Sequence, residues 1–275
     1  MPHPSGKALT QGESAVLLMT DVHYGRKTAS YNPKVFAKRL TRLSQTLGGI
    51  REGLASLSLD RLVVFMAGDM NDGTDIYATQ PHEQAESNVE AQADELSELL
   101  SSWLLEQKRI WGTVSVEAVP GNHGRAGKRA AVAANWDMVF YRYLALRLGE
   151  AIPVGLNPRP KSPFIRKVEL RDHQYILYHG HRIKSYFNIP WYGMSMRLHR
   201  WMSTRLAPFD MVCLGHFHTF GAWDVNRKTI LVSGTMITDD DWALEEFGWE
   251  SSARWWLFGV SDKHPMTWQY RLELE

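Results

Sequence analysis

His216 and His218 stand two residues apart in Leu214-Gly215-His216-Phe217-His218-Thr219, directly after the apolar run Met211-Val212-Cys213-Leu214. The run reads as a buried strand, which places the pair at its carboxyl end. In an extended segment both imidazoles point the same way, with Cα atoms roughly 6.5–7 Å apart. That spacing suits one imidazole on each of two metal ions about 3.5–4 Å apart, the arrangement of two-metal phosphoryl-transfer sites. By itself the pair carries little weight, because a histidine at a strand end is more often a hydrogen-bonded surface or core residue.

Four further segments repeat the pattern. Leu17-Leu18-Met19-Thr20-Asp21-Val22-His23 places a carboxylate and an imidazole two residues apart after an apolar run. Leu62 to Ala67 ends in Gly68-Asp69, Val114 to Pro120 ends in Gly121-Asn122-His123, and Tyr175 to Tyr178 ends in His179-Gly180-His181. Each time a hydrophobic strand gives way to a side chain able to hold a metal. In open α/β sheets ligands gather at the carboxyl ends of strands, so these loops can converge on one crevice. Any one of them is weak, and five in succession leave little room for coincidence.

With these residues in view, the chain resembles the calcineurin-like metallophosphoesterase superfamily. Its motifs D-x-H, G-D, G-N-H, H and G-H-x-H occur here in that order between about Val16 and Gly234. The resemblance implies that Asp21, His23 and His218 hold one divalent metal. It implies that Asn122, His179 and His216 hold a second, and that Asp69 bridges the two. His181 competes with His179, and the resemblance favours the first histidine. His123 is implied to be a catalytic residue that binds no metal. The implied fold is a four-layer α/β/β/α sandwich of two mixed sheets.

The implied chemistry needs these residue types. Water between two dications has a strongly lowered pKa, so hydroxide is available near neutral pH to attack phosphorus. His123 then serves as the acid toward the leaving oxygen. Carboxylate, imidazole and amide ligands without thiolate suit Mn, Fe, Zn, Co or Ni. Manganese is the first expectation, and it comes from the resemblance.

One departure stands out. The residue after Gly-Asn-His is usually acidic in that superfamily, and here it is Gly124. Asp72, three residues after Asp69, is the candidate partner of His123, as the matching aspartate is in the related Ser/Thr phosphatases. Alternatively Asp72 merely caps the turn with Gly73. Those phosphatases carry an arginine directly after this acid, and glycine at 73 argues against a phosphoprotein phosphatase.

The elements that must position these residues follow from periodicity and breakers. Asn32-Pro33 caps and opens a helix to about Leu47 with Phe36, Leu40, Leu43 and Leu47 on one face. Longer helical patterns run from about Pro81 to Gln107 and from about Ala130 to Leu148. Strand, helix, strand from Val16 to Ala67 implies a parallel pair. Strands near Phe164–Leu170, Tyr175–Tyr178, Met211–Leu214, Thr219–Trp223 and Thr229–Val232 suggest a second, more antiparallel sheet. Trp255–Val260 and Thr267–Leu274 add the last strands. Residues 1–12 read as a flexible tail and 13–275 as one domain. No dinucleotide-binding or P-loop glycine pattern is present.

Composition bounds the rest. Hydrophobic residues make up 44% and charged residues 22%, a globular balance, and net charge is +1, with no bulk bias toward nucleic acid or membrane. The single cysteine, Cys213, cannot form an internal disulfide, and neither a secretory leader nor a run of ~20 apolar residues occurs. A cytoplasmic location is expected.

The expected substrate is a phosphoester, DNA or nucleotide included. Arg125 and Arg182 are the candidate substrate-binding residues, with Lys128, Arg129 and Lys184 nearby in sequence. Tyr186, Phe187, Trp191 and Tyr192 are available to stack on bases. The Gly-Asp loop followed by a long helix is similar to nuclease subunits of the SbcCD type and to phage-encoded phosphoesterases. This places a phosphodiesterase of nuclease character ahead of a phosphomonoesterase. A non-catalytic scaffold is the remaining alternative, and such relatives lose metal ligands that are all filled here. The C-terminal third is rich in tryptophan, with Trp223, Trp242, Trp249, Trp255, Trp256 and Trp268 expected mostly in the core and one or two of them at a homodimer surface.

Overall fold

The computed structural model describes residues 12–78, 80–86, 88–131, 134–157, 164–186, 190–241, 244–245, 248 and 250–275. Residues 1–11 of the expected tail lie outside this range, as do Phe187, Trp242 and Trp249.

Strands β1 (Glu13–Met19), β2 (Leu59–Met66), β3 (Val114–Ala118) and β4 (Val154–Gly155) alternate with helices α1 (Pro33–Gly53), α2 (Val89–Trp111) and α3 (Trp136–Leu148). The four strands pair in parallel in that order, as strand–helix–strand crossovers require. A second sheet follows, built from β5 (Ile165–Leu170), β6 (His173–Tyr178), β7 (Met211–Leu214), β8 (Gly221–Val225) and β9 (Lys228–Val232), with α4 (Trp191–Met202) between β6 and β7. Its order is β5-β6-β7-β9-β8. The centre β6-β7-β9 is parallel and only the edges are antiparallel, so the sheet is mixed rather than mainly antiparallel. The chain then returns to the first sheet, where β10 (Arg254–Val260) lies antiparallel to β1 and β11 (Gln269–Glu273) to β10.

Alternation of side chains along the strands sorts the apolar residues into three layers. Leu17, Met19, Val64, Met66 and Val116 face α1, α2 and α3 and join Phe36, Leu43, Leu96, Leu100 and Phe140. Val16, Leu18, Val63 and Phe65 point the other way and meet Tyr175, Leu177, Cys213 and Leu231 from the second sheet. On the far side of that sheet Ile176, Val212 and Ile230 pack on Met194, Leu198 and Trp201 of α4. Three apolar layers between four structural layers make an α/β/β/α sandwich. The central strands β1, β6 and β7 are buried on both faces, which explains why they read as hydrophobic runs.

Helix starts are decided by asparagine caps. Asn32 accepts from Lys34 N and Val35 N, Asn88 from Glu90 N and Ala91 N, and Asn135 from Asp137 N. The second helix therefore begins at Val89, eight residues later than its apolar pattern suggested, and the third at Trp136. The residues before Asn88 form a loop with one 3-10 turn (Gln80–His82) that reaches the site described below. Helix α4 escaped the sequence reading. Its cap position is Pro190 with no side-chain cap bond, and Gly193 sits in its first turn, so the usual start signals are missing. Among the described residues no helix is long and apolar enough to cross a membrane.

Candidate metal centre

All five motif loops leave the carboxyl ends of β1, β2, β3, β6 and β7 and meet in one cleft. Three groups of side chains there bring a ligand atom from each member within 4.8 Å of the others: His23, Asp72 and His123, and the two sets that match the expected metal ligands, Asp21, His23 and His218, and Asp69, His179 and His216. Each set draws on both sheets, so the apolar layer between the sheets governs the geometry of both.

The extended geometry expected for His216 and His218 is not what separates them. Their φ values are +76° and +50°, so the segment turns, and the turn sends one imidazole into each set. Asp21, His23 and Asp69 also adopt left-handed backbone, at +50°, +49° and +50°. Such conformations cost on the order of 1–3 kcal/mol each in residues other than glycine and persist where function constrains the backbone.

The first set is held by its neighbours. Oδ2 of Asp21 accepts from Thr20 Oγ1 at 2.6 Å and from His216 N at 2.9 Å. Its Oδ1, buried and without a hydrogen bond, lies 3.3 Å from His218 Nε2 and 3.7 Å from His23 Nε2. The two Nε2 atoms are 3.2 Å apart. Ligands about 2.1 Å from one ion in tetrahedral or octahedral array lie roughly 3–3.5 Å apart, so this triangle has the size of one cation. On the far side of the ring, His23 Nδ1 donates to Asp72 Oδ1 at 3.3 Å and keeps Nε2 toward the cleft.

In the second set His179 Nδ1 donates to Ala67 O at 2.7 Å, which turns Nε2 toward Asp69 Oδ2, 2.9 Å away. That Nε2 makes no hydrogen bond, and neither does the buried Oδ1 of Asn122, whose Nδ2 donates to Tyr77 Oη at 2.7 Å. Asp69 Oδ1 accepts from His123 N at 2.8 Å. Buried ligand atoms left unpaired while the far sides of the same side chains are hydrogen-bonded are the mark of a cation site. The residues fit divalent metals. Of the competing histidines, His179 stands in the set. The Nδ1 of His181 is buried and unpartnered, and its ring packs between Phe164 and Tyr178.

Without cations, protons take their place. Burial disfavours the imidazolium of His23, but the carboxylates of Asp21, Asp72 and Asp69 beside it outweigh that and push the pKa up to about 10. His179 is raised to about 9 against the same burial penalty, by Asp69 and Asp21. Burial and the charge of His179 lower His181 to about 3 and push His216 well below its ordinary value.

His123 lies beside the first set, its ring edge-on to His23 with centroids 4.4 Å apart. Asp72 was expected to orient it. The carboxylate sits between the two histidines, its Oδ1 3.3 Å from His23 Nδ1 and 3.5 Å from His123 Nδ1, and against the penalty of burial both rings lower its pKa. The atom that meets His123 Nδ1 is Gln80 Nε2, at 3.2 Å. Gln80 Oε1 accepts from Ile76 N and Tyr77 N, which sets the amide orientation and turns its Nε2 toward His123 Nδ1. The carboxylate oxygens of Asp72 face side chains rather than its own turn, Oδ1 the two histidines and Oδ2 the Gln84 amide at 3.4 Å, while Gly73 N donates to Gln92 Oε1. Gly73 itself, at φ +80°, lets the loop pass against the His123 carbonyl.

The two candidate substrate arginines differ in setting. Arg125 Nε donates to the carbonyl of Asn122, whereas Arg182 is exposed, with its guanidinium 5.6 Å from the Phe164 ring centroid. Lys128, Arg129 and Lys184 are exposed.

Thr20, Tyr77, Gln80 and Asp137 also hold the site and were not singled out from sequence. Thr20 precedes Asp21 and was within reach of a motif reading. The other three act across loops or from a helix, and nothing in their neighbourhoods announces it.

No protein-family model and no curated protein matches the chain. Solved structures similar in fold include the following three. An archaeal phosphodiesterase is 12% identical, with 94% of this chain and 99% of that one covered and a TM-score of 0.44. Vps29 from Entamoeba histolytica, complexed with zinc, is 13% identical over 95% and 99%, with a TM-score of 0.41. A predicted phosphoesterase from Streptococcus pneumoniae is 12% identical over 96% and 99%, with a TM-score of 0.39. At such identities and scores these likenesses add no weight to any particular activity.

Proposed function

We propose that this chain is a metal-dependent phosphodiesterase with two divalent ions in the cleft, acting on nucleic-acid or nucleotide substrates. The supporting observation is the pair of ligand sets, each with unpaired buried ligand atoms, opening beside one histidine that belongs to neither. When bound, two dications supply Lewis acidity toward phosphoryl oxygens and lower the pKa of water. The protein does the rest. His123, with Gln80 behind Nδ1, protonates the leaving oxygen. Arg125 and Arg182 hold the non-reacting phosphoryl oxygens from the rim. Manganese is the first metal to try, followed by zinc and iron.

Two features favour a diester. Gly73 stands where a monoester-gripping arginine is found in protein phosphatases, so position 73 offers no charge to a terminal phosphate dianion. Beyond the rim, Tyr186, Tyr192 and Trp223 are exposed, and Trp191 stacks on Trp223 with ring planes 18° apart, a surface suited to bases.

The test is a paired assay on chelator-stripped protein reloaded with manganese. Bis-p-nitrophenyl phosphate should turn over faster than p-nitrophenyl phosphate, and labelled single-stranded DNA should be cut. A preference for the monoester would replace the diester reading. No turnover of either with Mn, Zn, Fe, Co or Ni would remove the enzyme reading.

A further inference from the structure

Asp137 lies 15 residues beyond Asn122 in sequence, in the first turn of α3, and its side chain is completely buried. It does not serve its own helix, whose cap is Asn135. Its Oδ2 accepts from Asp69 N at 3.0 Å and Gly121 N at 2.8 Å. Its Oδ1 accepts from Met70 N at 3.1 Å, Asn71 N at 3.0 Å and Asn71 Nδ2 at 3.2 Å. Five donors converge on two oxygens, and four of them are backbone N–H groups of the Gly-Asp and Gly-Asn-His loops. Asn135 completes the attachment by donating to Gly121 O at 2.8 Å.

The two loops leave adjacent parallel strands, β2 and β3, and beyond the strand ends the ladder no longer sets their relative position. A single carboxylate shared between Asp69 N and Gly121 N does. Gly124 makes room for it: a Cβ at 124 would fall 2.7 Å from Asn135 Oδ1 and 3.2 Å from Asp137 Oδ1. The position where an acid would directly follow Gly-Asn-His is therefore occupied from α3. Burial and the nearby Asp69 charge raise the pKa of Asp137, while the N–H groups of Gly121 and Asn71 oppose them. Donors on every side call for the anion.

We propose that Asp137 is a positioning residue that sets the distance between the bridging carboxylate of Asp69 and the Asn122–His123 segment by gripping the backbone of both loops. The inference rests on the two-metal reading of the cleft and adds to it a residue that touches neither metal nor substrate.

The experiment compares the full-length protein with D137N, G124A and Y141F. In D137N an N–H₂ group faces the amides that Oδ2 accepted from, so two contacts become donor against donor. G124A crowds the carboxylate without removing it. Tyr141 anchors the same helix through Val119 O at 2.9 Å and lies beside the Gly68 backbone, but it takes none of the four N–H groups that Asp137 holds, so Y141F reports loosening of α3 with the carboxylate grip intact. Amide hydrogen exchange is measured on the metal-free proteins, and manganese affinity by calorimetry. The expected result is loss of protection at residues 69–71 and 121 in D137N, with manganese bound roughly 10–100-fold more weakly. A smaller change in the same direction is expected in G124A, and wild-type affinity in Y141F. If D137N does not fold, G124A against Y141F carries the comparison. Wild-type exchange and affinity in both D137N and G124A would overturn the proposal. So would an equal loss in Y141F. Failure of the wild-type protein to bind manganese would instead sink the two-metal reading, and the exchange data would still judge the clamp.

Discussion

In the half of the cleft formed by Asp21, His23 and His218 the orienting groups are mostly side chains, whereas in the half formed by Asp69, His179 and His216 they are mostly backbone. His23 is turned by the carboxylate of Asp72 and Asp21 by the hydroxyl of Thr20. His179 is turned by the carbonyl of Ala67, and Asp69 is held through the N–H of His123 and through its own N–H on Asp137. The first half can therefore be retuned by single side-chain changes. The second depends on where the strand ends lie, and a change there disturbs several ligands together. The difference also shows in protonation. The first half draws a proton strongly onto His23, whereas the second raises His179 and suppresses His216.

The largest expected effect follows from the junction of the halves. Asp69→Asn should abolish binding of the second-half ion and weaken the first. The loss of activity should exceed the roughly 10–100-fold typical of outer partners. Atomic absorption and turnover on the reloaded protein check this. Two ions retained with activity intact would mean that the halves do not share Asp69.

A sharper separation comes from Asp72→Asn. Its hydrogen bond to His23 predicts about 10–100-fold weaker affinity for one of two ions in a calorimetric manganese titration, with the other step unchanged. His123→Ala should show the converse: both binding steps normal and kcat lower by ~10²–10⁴-fold, less for good leaving groups. If Asp72 served His123 instead, Asp72→Asn would spare both binding steps and add little to His123→Ala.

The smallest effect is the pH dependence of the metal-free protein. Folded His23 and His179 keep protons that the unfolded chain releases near 6.5, so their contribution is complete below 6.5 and lost as pH rises toward 9–10. His181 and His216 stay neutral in the fold while the unfolded chain gains protons below 6.5, so stability also falls on acidification. The melting temperature should peak near pH 6.5. Manganese should remove the alkaline decline, because the cations displace those protons. A metal-free curve that keeps rising to pH 9 would contradict the protonation contrast between the halves.

Sequence alone was enough for the ligand types, their order and the strands that carry them. Hydrophobic runs ending in Asp, Asn or His are local patterns, and a strand buried on both faces leaves its signature in consecutive residues. The asparagine caps were equally local, yet apolar periodicity before Asn88 drew the second helix too early. What only the tertiary structure decided were the relations between loops. The left-handed turns at His216 and His218, not strand alternation, divide the imidazoles between the two sets. Gln80 reaches His123 from a loop with no regular pattern, Asp72 turns out to hydrogen-bond His23, and Asp137 arrives from a helix start to join two loops. β10 and β11 close the first sheet rather than the second, since pairing partners depend on which edge is free. Contacts between segments far apart in the chain leave no periodicity in either segment, so they become visible only when the two sheets are packed face to face.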